Sequence, residues 1–366
     1  MTEQELITSV IRPEIRALTA YKVADASGFI KLDAMENPYT WPEEIKAEWL
    51  KVLHKAEINR YPDPEAKSLC CILKEYNQIP AESDVLLGNG SDEIIQLLLM
   101  ALPATATVMA PEPSFVMYKQ IAQCLGLNYQ GVPLLADNFE LDLEATLATV
   151  KEQQPEIIFL AYPNNPTGNL FDSETIEQII QQSKGLVIID EAYAPFTDFN
   201  FTQQLGKYNN LLVMRTVSKL GLAGLRLGFI AGNPAIISEL NKARLPYNIN
   251  VLTQASVEFA LSHPDMFAEQ TETICHERAR MFLQLSVIQE VTPCPSAANF
   301  ILFRTPKNTA TEIFNNLKEQ GVLIKNLAPQ KGLLSDCLRV TIGKPEENNA
   351  FIKALKIALQ VFNTKD

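Results

Sequence analysis

Histidine is scarce in this 366-residue sequence: only His54, His263 and His276 occur, and none stands in a ligand spacing such as HExxH. A histidine-based metal site is therefore not expected, and each is read as a surface or packing residue. Cysteine is equally without pattern. The six cysteines, at 70, 71, 124, 275, 294 and 337, show no paired metal spacing, and the adjacent Cys70 and Cys71 are poorly placed to bridge each other. Reduced thiols in a cytoplasmic protein fit this usage. No segment is apolar over the roughly 18 residues that a membrane span requires. The opening MTEQELITSVIRPEIRAL is polar and mixed in charge, so no export signal is expected. Positive charge is in deficit: 31 Lys and Arg stand against 43 Asp and Glu, a net −12, which argues against nucleic acid as a partner. Internal repeats and low-complexity tracts are also missing.

What is present is the composition of a soluble globular protein, 47% hydrophobic and 20% charged. The length exceeds one ordinary domain, so a large domain and a smaller one are expected. Short apolar runs at 84–87, 106–110, 157–162, 186–190, 211–216 and 228–231 read as buried strands, most of them separated by helical patterns such as 92–101, 114–125 and 172–183. The alternation predicts a mostly parallel sheet covered by helices. Ligands of such sheets gather at the carboxyl ends of the strands. Pro264 offers the start of a long helix, and the chain is expected to finish with a strand at 338–342 and a helix to about 362. The reading divides the chain into an N-terminal arm at 1–40 that joins the small domain, a large domain at 41–265 and a small domain at 266–366.

The residues after the strands carry the chemistry. GNGSDE follows DVLL and places Gly90, Ser91 and Asp92 at a helix N-terminus, where free N–H groups and the helix dipole suit a phosphate, although an ordinary capped helix has the same appearance. IIFLAY runs into PNNPTG, a tight turn that fixes Asn164 and Asn165 at the sheet edge. LVIID ends on Asp190, with Tyr193 just beyond. A carboxylate closing an apolar strand is costly unless paired, and it is also what a pyridinium ring requires. LLVMRT leads to Ser218, Lys219 and Arg226 on a glycine-punctuated loop, where burial and nearby cations lower a lysine toward a reactive amine.

GNGSDE, NNPTG, DEAY, SKLGLAGLR and LRVT occur in the order found in the fold type I pyridoxal-phosphate aminotransferases, which the chain resembles over almost its whole length. LTAY ending at Tyr21, KLDAMENPY with Glu36 and Asn37, NRYPDPE with Tyr61, and PEPSFVMY with Phe115 resemble the histidinol-phosphate aminotransferase branch. The resemblance implies an aspartate aminotransferase-like α/β fold, with a large domain built on a mostly parallel sheet flanked by helices and a smaller α+β domain. It implies pyridoxal 5′-phosphate held by Lys219 as a Schiff base, with Lys219 also the proton shuttle. Asp190 would keep the pyridine nitrogen protonated, Tyr193 and Asn165 would donate to the phenolic oxygen, and Phe115 would stack on the ring. Gly90, Ser91, Asp92, Ser218 and Arg226 would form the phosphate cup, joined by Tyr61 from the neighbouring subunit of a homodimer. Arg339 would grip the substrate's anion, with Tyr21, Asn37 and Lys325 lining the substrate site.

The implied activity is exchange of an amino group between L-histidinol phosphate and 2-oxoglutarate, a ping-pong step of histidine biosynthesis. Three departures from the family pattern bear on it. Lys325 stands where arginine is usual, replacing a forked contact with a point charge. Met35 stands where asparagine is usual. Lys219 and Arg226 are seven apart, one fewer than in the broader pattern, so Gly221 and Gly224 are expected to let a tighter loop reach the phosphate. An aromatic amino-acid aminotransferase, a decarboxylase of phosphorylated amino acids and, more remotely, a non-catalytic cofactor-binding protein also remain open readings.

Overall fold

The computed structural model describes residues 1–20 and 24–363. Seven strands form the central sheet: β1 (Asp84–Gly88), β2 (Thr107–Glu112), β3 (Asn128–Pro133), β4 (Ile157–Ala161), β5 (Leu186–Asp190), β6 (Leu211–Thr216) and β7 (Gly228–Gly232). Their order is β1-β7-β6-β5-β4-β2-β3. Only β7 runs against its neighbours, β6 and β1; the other pairings are parallel. Every residue of β4 is buried, as expected of a strand covered by helices on both faces. Each fully buried isoleucine or leucine in such a strand contributes ~1.5–3 kcal/mol. The flanking helices are amphipathic: Ser173–Gln182 buries Ile176, Ile179 and Ile180 and is capped by Asp172, whose side chain accepts from the Thr175 N–H.

The six expected strands of this sheet and the mostly parallel arrangement are observed. β3 is the strand that the apolar pattern does not reveal. It lies at the sheet edge, its sequence NYQGVP is largely polar, and only Val132 is buried. Pro264 opens a 23-residue helix, Pro264–Ser286, and the chain ends in helix Pro345–Asn363.

A second sheet of four antiparallel strands is ordered Lys325–Asn326, Cys337–Thr341, Phe300–Arg304, Thr292–Pro293. Its core joins Phe300, Phe303, Leu338 and Val340 to Phe351 and Leu355 of the last helix. The beginning of the chain reaches this part: Ile30–Lys31 pairs in parallel with Val322–Leu323, and the Thr341 N–H donates to the Leu32 carbonyl at 2.9 Å. Further upstream, helix Glu3–Val10 is closed by a Thr2–Glu5 capping box, yet buries none of its residues.

Strand register determines what meets at the sheet edge. Ala161 pairs with Asp190, Asp190 with Met214, Thr216 with Gly228, and Gly228 with Gly88. The carboxyl ends of β4, β5, β6 and β1 therefore lie side by side, and the loops carrying Asn165, Tyr193, Lys219 and Ser91 leave from one line.

Candidate active site

A cavity of about 220 Å³ opens along that line. Lys219, Asp190, Tyr193 and Asn165 line it, together with Ser91, Asp92, Phe115, Ser218 and Arg226. Its remaining wall is Ala34, Met35 and Glu36 on one side and small residues, among them Ala161 and Ala192, on the other.

Asp190 is buried at the end of β5. One carboxylate oxygen accepts the Tyr118 hydroxyl at 2.6 Å and the other accepts the Ala192 N–H at 3.1 Å. Burial pushes its pKa up to about 6, against the opposing pull of those two hydrogen bonds. Tyr118 is itself fully buried, stacked on Phe159 with ring centroids 4.6 Å apart, and meets Phe115 edge-on at 5.5 Å. The Tyr193 hydroxyl accepts from the Asn165 amide at 3.1 Å, and burial raises its pKa above the usual phenol range.

Lys219 belongs to a π-helical turn, Ser218–Leu222, in which Gly221 adopts φ +123°. Its Nζ lies 3.4 Å from the Ala34 carbonyl and 5.8 Å from the centre of the Tyr193 ring. Burial, then the positive charge of Arg339, lowers its pKa to about 8. No ion pair joins it to Asp190. The expectation for the tight Lys219–Arg226 loop needs correction. Gly221 uses its conformational freedom, but Gly224 has no positive φ, and the second left-handed residue is Arg226 itself, at φ +47°. The short loop is closed by placing the arginine in that conformation.

Helix Ser91–Met100 begins at Gly90 without a side-chain cap, so its first N–H groups are left for another acceptor. Gly90 has φ +87°, and a Cβ there would lie 2.6 Å from an Arg226 guanidinium nitrogen. Arg226 also faces Asp92 at 3.5 Å. The uncapped helix end and the guanidinium form one anion-accepting corner.

Arg339 stands one layer out. Its guanidinium donates to the Asn165 side-chain oxygen and, at 3.2 Å, to the Asp33 carbonyl, over the face of Phe300. Lys325 is its cross-strand partner. Asn37 does not line the cavity: its amide donates to the Leu220 carbonyl and to Gln270. Tyr61 does not line it either. It is 80% exposed and stacks on Tyr247, with ring centroids 4.4 Å apart. Tyr21 lies outside the described residues.

Two features escaped the sequence reading. Tyr118 is three residues after Phe115, a helical spacing that puts both on one side and could have exposed it. The second is a buried pair, Glu191 with Arg215, at 2.7 Å, which also engages Thr202 and Asn77. Charges at neighbouring ends of two apolar strands need each other, and that was the available signal.

A lysine made reactive by burial, a buried carboxylate across the same cavity and an anion corner at a helix N-terminus together define an enzyme of the aminotransferase type. The family model for aminotransferase class I and II matches residues 27–355, and the chain belongs to that family. It is 56% identical to histidinol-phosphate aminotransferase 2 of Nitrosococcus oceani, over 96% of this chain and 98% of that protein. It is 49% identical to histidinol-phosphate aminotransferase 1 of Ralstonia nicotianae, over 97% and 96% of the two chains. Its fold is similar to that of the histidinol-phosphate aminotransferase from Sinorhizobium meliloti solved with pyridoxal-5′-phosphate, with a TM-score of 0.85 at 23% identity over 97% of this chain and 98% of that one.

Proposed function

We propose that the protein transfers the amino group of L-histidinol phosphate to 2-oxoglutarate, yielding imidazole acetol phosphate and L-glutamate, with pyridoxal 5′-phosphate as cofactor. The observation that carries this reading is the placement of Lys219 and Asp190 on one cavity beside an uncapped helix N-terminus. The near-full-length identity to histidinol-phosphate aminotransferases supports the choice of substrate.

The residues fit the cofactor. Ser91, Asp92, Ser218 and Arg226, with the Gly90 backbone, would hold the phosphate at the helix end, where anions are favoured. Asp190 would face the pyridine nitrogen, Phe115 the ring, Tyr193 and Asn165 the phenolic oxygen, and Lys219 the aldehyde carbon. When bound, the cofactor supplies an electron sink for the pair left at the substrate's α-carbon. Asp190 keeps the ring nitrogen protonated because a buried carboxylate is itself stabilised by a cation. Lys219, as a free amine, takes the α-proton through Nζ, and its depressed pKa leaves about a tenth of it unprotonated at pH 7 and half near pH 8, far more than an ordinary lysine. Arg339 orients the substrate by gripping a carboxylate or phosphate with its guanidinium, which also donates to Asn165. Lys325 adds a second positive charge beside it.

We also propose a homodimer in which Tyr61 reaches the neighbouring subunit's phosphate site. Its exposure supports this, along with that of Ile58 and Leu245. The six free cysteines support a cytoplasmic location.

The direct test mixes protein loaded with pyridoxal phosphate separately with L-histidinol phosphate, L-phenylalanine and L-glutamate and follows the visible band of the lysine-linked cofactor. Fast loss with histidinol phosphate and slower loss with phenylalanine is expected. Equal or faster loss with phenylalanine would make the protein an aromatic aminotransferase, and carbon dioxide release without need of 2-oxoglutarate would make it a decarboxylase.

Tyr118 offers a second test. Tyr118→Phe removes a donor to the Asp190 carboxylate, so the Asp190 pKa rises further and less of it is ionised at neutral pH. Cofactor affinity should fall about tenfold or more, as for a lost hydrogen bond to a charged group, measured by fluorescence titration. Unchanged affinity would mean that the Ala192 N–H alone holds the carboxylate.

A further inference from the structure

Two residues lining the cavity hold positive φ without being glycine: Arg226 at +47° and Met35 at +54°. Left-handed backbone is costly for a side chain with a Cβ, and methionine has none of the local hydrogen bonding that eases it for asparagine. For Arg226 the conformation closes the short loop to the anion corner. Met35 needs its own explanation, and strain maintained at a site is grounds for asking what function it serves.

The backbone around Met35 is fixed from four directions. The Asp33 carbonyl accepts from Arg339 at 3.2 Å, and the Ala34 carbonyl lies 3.4 Å from Lys219 Nζ. The Met35 N–H donates to the Thr341 hydroxyl at 3.0 Å, and its carbonyl accepts from Asn299 at 3.0 Å. Three consecutive residues thus touch both the reactive lysine and the substrate-side arginine. The segment cannot relax without disturbing them, and the side chain projected from it stays at the cavity wall, packed against the core that contains Tyr193 and Phe300.

The cofactor chemistry assigned above leaves few walls for the amino donor's own side chain. Ala34, Ala161, Ala192 and Ala223 are too short to shape it, Glu36 is bound to Lys31, and Pro163 is rigid. Met35 is the one long, flexible, apolar side chain in that group. Its thioether is polarisable and makes favourable contacts with aromatic rings.

We infer that Met35 is a specificity-determining residue: its side chain meets the flat ring, imidazole or phenyl, of the amino donor, and the pinned backbone holds the thioether there. This rests on the aminotransferase reading of the site and identifies the donor class as ring-bearing. Glutamate, with no ring, gains nothing from the contact.

The test uses Met35→Asn and Met35→Leu in the full-length protein. Asparagine accepts left-handed backbone but gives up the side chain's packing on the apolar core, so the cofactor-free Met35→Asn variant should melt within about 2 °C of the unsubstituted protein. Its KM for L-histidinol phosphate and L-phenylalanine should rise about tenfold relative to that for L-glutamate, the upper end of a sulfur–ring contact. Met35→Leu should leave melting unchanged and shift the ratio less. Equal KM changes for all three donors would overturn the assignment. Failure of the unsubstituted enzyme to turn over any ring-bearing donor would instead overturn the functional reading beneath it.

Discussion

Lys219→Ala should lower kcat by ~10⁴-fold or more, the upper range for a positioned acid–base group, because it removes both the amine that holds the cofactor and the base that takes the α-proton. Lys219 is the only lysine among the described residues lining the cavity, so no neighbour can take its place. Borohydride should fix cofactor to the peptide containing Lys219 in the unsubstituted protein and to no peptide in the variant. Retention of a reducible linkage in the variant would point to a different lysine. The pH dependence gives an independent readout. With its pKa at about 8 rather than the usual 10.5, Lys219 is half neutral near pH 8. Capture of pyridoxal phosphate by the cofactor-free protein should therefore speed up about tenfold per pH unit below 8 and level off above it. A rate still climbing at pH 10 would indicate a solvated lysine. The same depressed pKa means that the unfolded chain binds more protons than the folded one between about pH 8 and 10.5, so stability contributed by this group rises with pH across that window.

Much of this site was legible in the sequence because parallel sheets concentrate chemistry at strand ends. Once IIFLAY, LVIID and LLVMRT are read as adjacent buried strands, Asn165, Asp190 and Lys219 must emerge on one edge, and the register places Ala161, Asp190 and Met214 in one row. Strand β3 was not legible because an edge strand with one buried residue carries no apolar signature. Asn37, which the resemblance places at the substrate site, gives its amide to Leu220 and Gln270, a choice between contacts that one-dimensional spacing does not encode. Gly224 was misjudged for a related reason. Composition shows which residues are able to take positive φ, whereas loop closure decides which one does, and here it was Arg226. Tyr118 and the Glu191–Arg215 pair were hidden because their meaning depends on partners 72 and 24 residues away in sequence.

Asp190→Asn should reduce kcat by about 10²–10³-fold, the loss typical of removing one electrostatic element of a preorganised site, because a neutral amide cannot keep the ring nitrogen protonated. Its effect on stability should go the other way. The folded-state pKa of Asp190, about 6, lies above the ordinary 3.8, so between those values the folded protein holds a proton that the unfolded chain has released. Stability from this group is then greatest at low pH and is lost as pH rises through about 6. The gap corresponds to ~3 kcal/mol of unfavourable carboxylate burial at neutral pH. Asparagine does not titrate. Its oxygen can accept from the Ala192 N–H while its NH2 donates to the Tyr118 hydroxyl oxygen, so it can keep both contacts and escapes the charge penalty. Relative to the unsubstituted protein, the cofactor-free variant should accordingly gain ~5 °C in melting temperature as pH is raised from 4 to 7, whatever its offset at pH 4. A pH-independent difference would mean that the carboxylate is not held ionised against burial. Saturation with pyridoxal phosphate should reverse the order at pH 7, because only the carboxylate gains a cationic partner when the ring nitrogen is placed against it.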